Sequence, residues 1–270
     1  MHPARGLPWD DGDWRASVRR WIDERATALG LARTGPLRTL HRRPWSLVLR
    51  TRTSAGPIFF KATAPTLAND PAITSHIADL APNLVLRPLA ADAECRWMLM
   101  SRGVRRLRGL PGEALLRHWE RLLPRYATLQ LDALDTDGTL LALGALDRRP
   151  STLADQLQAF LASPAATRVG RRDGLAAAEV KRLVRQLPPI AERAGAIAAS
   201  GIGNSIQHDD LHDGNVFLAS GGDRIFDWGD AAVSHPFGSL VVTLTSIADR
   251  LGRPDGAPEL RRLRDAYLEP

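Results

Sequence analysis

The densest set of chemically capable side chains in this 270-residue sequence lies between His208 and Asp227. It reads His208-Asp209-Asp210-Leu211-His212-Asp213-Gly214-Asn215, then the apolar run Val216 to Ala219. Ser220-Gly221-Gly222-Asp223 and Arg224-Ile225-Phe226-Asp227 follow. Two short apolar runs flanking a Gly-Gly pair spell a β-hairpin. With residues 220 to 223 as its loop, position 216 faces 227 and position 215 faces 228, bringing Asn215 and Asp227 together at the open end. Asp210 arrives there on the loop just upstream. Such an oxygen cluster suits Mg²⁺, which takes one or two carboxylates and fills its shell with phosphate oxygens and water. A separate carboxylate nearby can orient and deprotonate an attacking hydroxyl. Phosphoryl transfer needs those two services more than it needs covalent chemistry.

The elements around this segment divide into two characters. Asp13 to Leu29 has the spacing of an amphipathic helix, with Trp14, Val18, Trp21 and Ile22 on one face and Gly30 as its stop. Trp45 to Arg52 and Pro57 to Ala62 read as strands joined by Thr53-Ser54-Ala55-Gly56. Asp70-Pro71 looks like an N-cap and a first-turn proline opening a helix to about Leu80. Leu84 to Leu89 and Arg96 to Met100 are further strand candidates. Beyond Arg102 the pattern is helical: Glu113 to Leu131 with a possible kink at Pro124, Ser151 to Leu161, Leu175 to Leu187 and Ile190 to Ala199, with a helix around Leu260 to Leu268 near the end. The expectation is an α+β chain. Residues 1–101 form a sheet-bearing N-terminal lobe and 102–270 a helical C-terminal lobe, with the boundary in the Arg- and Gly-rich stretch 101–112.

Kinase catalytic loops carry His-x-Asp-Leu with an Asn five residues after the Asp. His208, Asp210, Leu211 and Asn215 satisfy that spacing, and Asp227 stands where a second metal-binding Asp belongs. The segment resembles the aminoglycoside phosphotransferase and choline kinase-like family, a branch of the protein-kinase-like fold whose common form is His-Gly-Asp-Leu-His-x-x-Asn. The resemblance implies a two-lobed fold, with a small antiparallel sheet and a mainly helical lobe carrying the catalytic hairpin. It implies Asp210 as catalytic base, Asn215 and Asp227 as Mg²⁺ ligands, and His208 and His212 as supports of the loop. Lys61, in Ile58-Phe59-Phe60-Lys61, becomes the contact to the ATP phosphates; a strand lysine by itself is more often a solvated edge residue. Trp97-Met98-Leu99-Met100 becomes the hinge strand beside adenine. The implied activity is ATP- and Mg²⁺-dependent phosphorylation of a hydroxyl on a small molecule. The alternative is a kinase fold with weak or lost activity.

The chain departs from the family pattern in places. Asp209 replaces the common Gly, and a neighbouring carboxylate, if unpaired, raises the pKa of Asp210. The Glu expected to hold the strand lysine is not obvious; Asp70, one carbon shorter, is the best candidate, although an N-cap already explains it. Ser234-His235-Pro236 and Gly238-Ser239-Leu240 stand where Gly-Asp-Pro and Asp-Leu are usual. The family usually continues with further helices beyond the position of Pro270.

Competing readings are weaker. His208 and His212 at helical spacing beside Asp209 and Asp213 suggest zinc, but Gly214 and the strand after it argue for a loop. A metal phosphohydrolase needs further histidines, and the region 150–200 has none. The net charge of +6, from 36 basic and 30 acidic residues, is carried almost wholly by scattered arginines; Lys61 and Lys181 are the only lysines. Without interleaved aromatics this disfavours a nucleic-acid surface. No apolar run reaches the roughly 20 residues of a membrane span, and no signal pattern opens the chain. With Cys95 as the single cysteine, a cytoplasmic protein acting on a small molecule is expected.

Overall fold

The computed structural model describes residues 7–101, 105–134, 136–219 and 221–270. Its N-terminal part is helix α1 (Gly12–Ala28) packed on a five-stranded antiparallel sheet in the order β1-β2-β3-β5-β4. The strands are β1 (Arg38–Arg42), β2 (Ser46–Thr53), β3 (Gly56–Thr63), β4 (Ala90–Asp92) and β5 (Trp97–Ser101). Helix α2 (Asp70–Leu80) lies between β3 and β4 in the chain. Alternation along β3 sorts its two faces. Ile58, Phe60 and Ala62 pack with Val18, Trp21 and Ile22 of α1, while Phe59 and Lys61 face a cleft on the other side.

The remainder is mainly helical: α3 (Gly112–Asp132), α4 (Asp137–Ala142), α5 (Pro150–Ala162), α6 (Pro164–Thr167), α7 (Ala177–Val184), α8 (Leu187–Ala198), α9 (Gly238–Leu251) and α10 (Pro258–Leu268). Two small three-stranded sheets sit among them. One is β6 (Arg105–Arg106), β9 (Val216–Leu218) and β10 (Arg224–Ile225); the other is β7 (Leu146–Asp147), β8 (Ser205–Gln207) and β11 (Ala232–Ser234). The main core gathers around α3, whose Leu115, Trp119, Leu122 and Tyr126 recur at helical spacing and are buried. Pro124 sits inside this helix without ending it.

Several sequence expectations are corrected. Leu84 to Leu89 is not a strand; it contributes one bridge, Val85 to Ile225, through which it docks the hairpin. The edge strand β1 escaped notice because all five of its residues are exposed, so no apolar alternation marks it. Helix α9 was also unread: its Val241, Val242, Thr243 and Thr245 favour strands as much as helices, and only tertiary packing decides between them. The boundary stretch partly lies outside the described residues, at 102–104, as does the expected turn residue Ser220.

Candidate active site

The hairpin forms, but its register differs from the sequence reading. Val216 pairs with Ile225 and Phe217 with Arg224, and Phe226 N donates to Asn215 O at 3.1 Å. Within the hairpin the apolar run pairs only to Phe217, while Leu218 pairs with Arg105 of β6; this lengthens the connection and moves each pairing by two positions. Asp227 therefore falls two residues beyond the last ladder pair rather than within it. Its backbone then turns sharply, with φ +69° and ψ 63°, a left-handed conformation that Asp tolerates better than most residues. This turn, not strand pairing, sets the position of the Asp227 carboxylate.

Lys61 of β3 reaches that carboxylate from across the cleft. Its ammonium donates to Asp70 Oδ2 at 2.5 Å and also to Asp227 Oδ1. Burial would drive the proton off Lys61, but the charges of Asp227 and Asp70 outweigh it and raise its pKa. Asp70 is not the N-cap that the sequence suggested. It is the first residue of α2, fully buried; the N-cap is Asn69, which makes no capping bond. Asp70 Oδ1 accepts from Thr74 Oγ1 at 2.9 Å and from Trp228 N at 3.1 Å. It thus holds both the lysine and the backbone just after Asp227.

Asp210 is half exposed at the same cleft. Asn215 donates through Nδ2 to Asp210 O at 2.9 Å and to Asp210 Oδ2 at 3.0 Å. His212 Nε2 lies 3.5 Å from the same Oδ2. Partial burial favours the neutral acid, but His212 and the Asn215 amide together hold the Asp210 carboxyl below the usual carboxylate range. The expected upward push from Asp209 does not arise, because Asp209 turns away and pairs with Arg148. Asp209 has φ +62°, which explains why a glycine suits this position.

His208 is fully buried. Its Nε2 donates to Phe226 O at 2.9 Å, and its Nδ1 accepts from Asp210 N at 3.3 Å. Burial pushes its pKa down, so it is neutral. Its backbone N donates to Tyr126 Oη at 3.0 Å and Ser239 Oγ at 3.2 Å. Thr243 Oγ1 donates to Leu211 O at 2.7 Å. Helix α9 therefore supports the loop through Ser239, which stands where the family pattern has Asp, and through Thr243. With both ring nitrogens of His208 engaged within the loop, the zinc reading fails, and among the described residues no three His, Cys, Asp or Glu side chains cluster around one metal position.

The cleft, of about 640 Å³, is lined by Lys61, Asp210, Asp227 and Asp230 at its polar end. Asp230 was not singled out in the sequence; its neighbour spacing to Asp227 was the available signal. Its pKa is raised by burial first and then by the charges of Asp210 and Asp227. Asp227 Oδ1 is engaged by Lys61, and the Asn215 amide donates through its nitrogen, so Asp227 Oδ2 and Asn215 Oδ1 are the oxygens that fit a hard cation. The apolar end has Val48, Phe59, Met100 and the stacked pair Phe217–Phe226, with ring centroids 4.1 Å apart. Trp97, Met98 and Leu99, expected at the hinge, are paired on both edges by β3 and β4 and belong to the core; of β5 only Met100 and Ser101 reach the cleft.

No curated protein sequence matches this chain. Solved structures do share its fold. A type I macrolide 2′-phosphotransferase is 15% identical with a TM-score of 0.56, over 94% of this chain and 82% of the other. A choline kinase from Streptococcus pneumoniae is 11% identical with a TM-score of 0.60, over 93% and 80%. An ethanolamine kinase from Plasmodium vivax is 12% identical with a TM-score of 0.63, over 96% and 75%. These likenesses establish the two-lobed kinase-like fold. The model of the phosphotransferase enzyme family matches residues 32–270. By that match, and with this fold, the chain belongs to the phosphotransferase enzyme family.

Proposed function

We propose that this protein transfers the γ-phosphoryl group of ATP to a hydroxyl of a small molecule. That Lys61, Asp210 and Asp227 line one cleft, with Asn215 bonded to Asp210, carries this reading. Residues 1–101 act as the nucleotide-binding lobe and 102–270 as the lobe bearing the catalytic loop. The apolar end of the cleft accepts the flat base between Val48 and the Phe217–Phe226 stack. Lys61, held charged by Asp70, meets the phosphates. Asn215 and Asp227 are the residues that would hold Mg²⁺, which when bound would offset charge on the transferring group. Asp210 orients the acceptor hydroxyl and takes its proton. Both neighbours of that carboxylate fall on Oδ2, leaving Oδ1 for this task. A depressed pKa keeps it ionised at neutral pH. The acceptor is a soluble hydroxylated compound, and the setting we propose is the cytoplasm; among the described residues no helix is long and apolar enough to cross a membrane. ADP release from Mg-ATP, measured against aminoglycosides, amino alcohols, sugars and nucleosides, tests the reading. Phosphorylation of any of them supports it. Tight Mg-ATP binding with silence across the panel favours an inactive kinase fold.

A further inference from the structure

The catalytic loop is held from its outer side by groups that the proposed chemistry does not use. Asp213, buried on that loop, pairs with Arg108 Nε at 3.0 Å and with Arg250 of α9. Arg250 Nη2 also donates to Arg108 O and Leu110 O, each at 2.7 Å. The segment after β6, the loop and α9 are thus one closed ring of charge-assisted bonds.

Arg108 does more than close this ring. Its Nη2 lies 3.1 Å from His212 Nδ1, and Gly214 N donates to the same nitrogen at 2.8 Å. With two N–H donors aimed at it, Nδ1 is the acceptor, so the ring proton sits on Nε2. Nε2 is the atom 3.5 Å from Asp210 Oδ2. Gly214 is an independent sign that this approach is built in. A Cβ there would lie 2.5 Å from Arg108 Nη2 and 2.6 Å from His212 Cε1, so any larger residue pushes the guanidinium off the imidazole.

We propose that Arg108 is a positioning residue for Asp210, acting through His212, and that Gly214 is the opening through which it acts. The proposal rests on the phosphotransfer reading above. Arg108 and Asp213 fix the imidazole plane, Nε2–H is turned toward Asp210 Oδ2, and Oδ1 keeps its direction toward the acceptor. Loss of that direction slows the chemical step without touching the nucleotide.

The test uses the full chain and two readouts. Long-range ¹H–¹⁵N NMR of His212 is expected to show the proton on Nε2; a proton on Nδ1 overturns the proposal whatever the activity. In ADP formation from Mg-ATP, with water or an accepted hydroxyl compound, Arg108→Met, Arg108→Lys and Gly214→Ala are expected to lower kcat about 10- to 100-fold, the scale of a misplaced catalytic group. KM for ATP stays at its wild-type value. His212→Ala gives the same loss, and adding Arg108→Met to it costs nothing further, as coupled residues require. Fully additive losses, or an effect on KM alone, overturn the proposal. Should Arg108→Met fail to fold, Gly214→Ala carries the same test. If Asp210→Ala forms ADP at the wild-type rate, the phosphotransfer reading falls and the positioning role with it. If Asp210→Ala is inactive while Arg108→Met is fully active, only the positioning role falls.

Discussion

Lys61 Nζ and Asp70 Oδ2 lie 2.5 Å apart, with the two side chains 8% and 0% exposed. A sheet residue and a helix residue are tied here by a pair that water hardly reaches. Removing one partner of such a pair leaves a buried charge uncompensated, at a cost of about 3–5 kcal/mol. Asp70→Asn is expected near the lower end, about 3 kcal/mol, because Asp227 still attends the lysine. Urea denaturation reads this, and ATP affinity should fall as Lys61 and the Trp228 backbone lose their anchor. Wild-type stability in this variant would mean that Asp227 alone suffices.

Asp210→Ala is expected to lower turnover by about 10²–10⁴, the usual scale for a general base. Nucleotide affinity should stay unchanged, since in the proposed mechanism Asp210 meets the acceptor rather than ATP. Single-turnover kinetics beside an equilibrium ATP titration separate the two. Unchanged turnover would remove Asp210 from the mechanism.

Chelation of divalent cations should abolish turnover and Mg²⁺ restore it. Asp227→Asn and Asn215→Ala are each expected to raise the Mg²⁺ concentration for half-maximal rate by at least about 10-fold, since even outer-shell losses cost that much. Equal Mg²⁺ dependence in both variants and the wild type would place the ion elsewhere.

Asp209 offers a backbone test. At φ +62° a β-branched residue is strained, and Asp209→Val is expected to cost about 1–2 kcal/mol. Asp209→Gly relieves the backbone but loses the Arg148 pair, worth about 0–1 kcal/mol at a half-exposed site, so stability should stay within about 1 kcal/mol. Thermal melts of the two variants decide. If valine is tolerated as well as glycine, the left-handed turn is not what governs this position.

Buried neutral His208 makes stability depend on pH with a definite sign. Its folded pKa is depressed, so below the ordinary histidine value of about 6.5 the unfolded chain takes up the proton more readily. Its contribution is therefore complete above about pH 6.5 and declines as pH falls, by at most about 1.4 kcal/mol per unit. His235 shifts the same way for the same cause, desolvation. Urea unfolding from pH 7.5 down to 5 should show the decline, and His208→Asn should flatten it; an unchanged slope would assign the effect to His235.

Much of the site was legible in the sequence because it is local. Asp210 and Asn215 belong to one short loop, and the hydrogen bonds between them need only that spacing. Lys61 was legible only through the family resemblance; in the fold, strand alternation sends it to the face opposite Ile58, Phe60 and Ala62. The same local patterning gave α1, α2 and α3 to within a few residues, since periodicity marks any helix that buries one stripe.

What the sequence could not settle was every decision made between distant segments. The hairpin register was misjudged by two positions, because strand length depends on docking to Leu84 and Leu86, whose backbones bond Ile225. Asp70 looked sufficient as a cap; only the folded chain brings Lys61 and the Trp228 N–H to its carboxylate. Asp209 looked like a charge beside the base, until the left-handed turn carried it to Arg148. Spacing along the chain thus determined which residues form the reactive loop. Tertiary packing decided which carboxylates are paired, which stays half exposed at the cleft, and what holds each in place, because a buried charge is fixed by the partners that remote elements deliver to it.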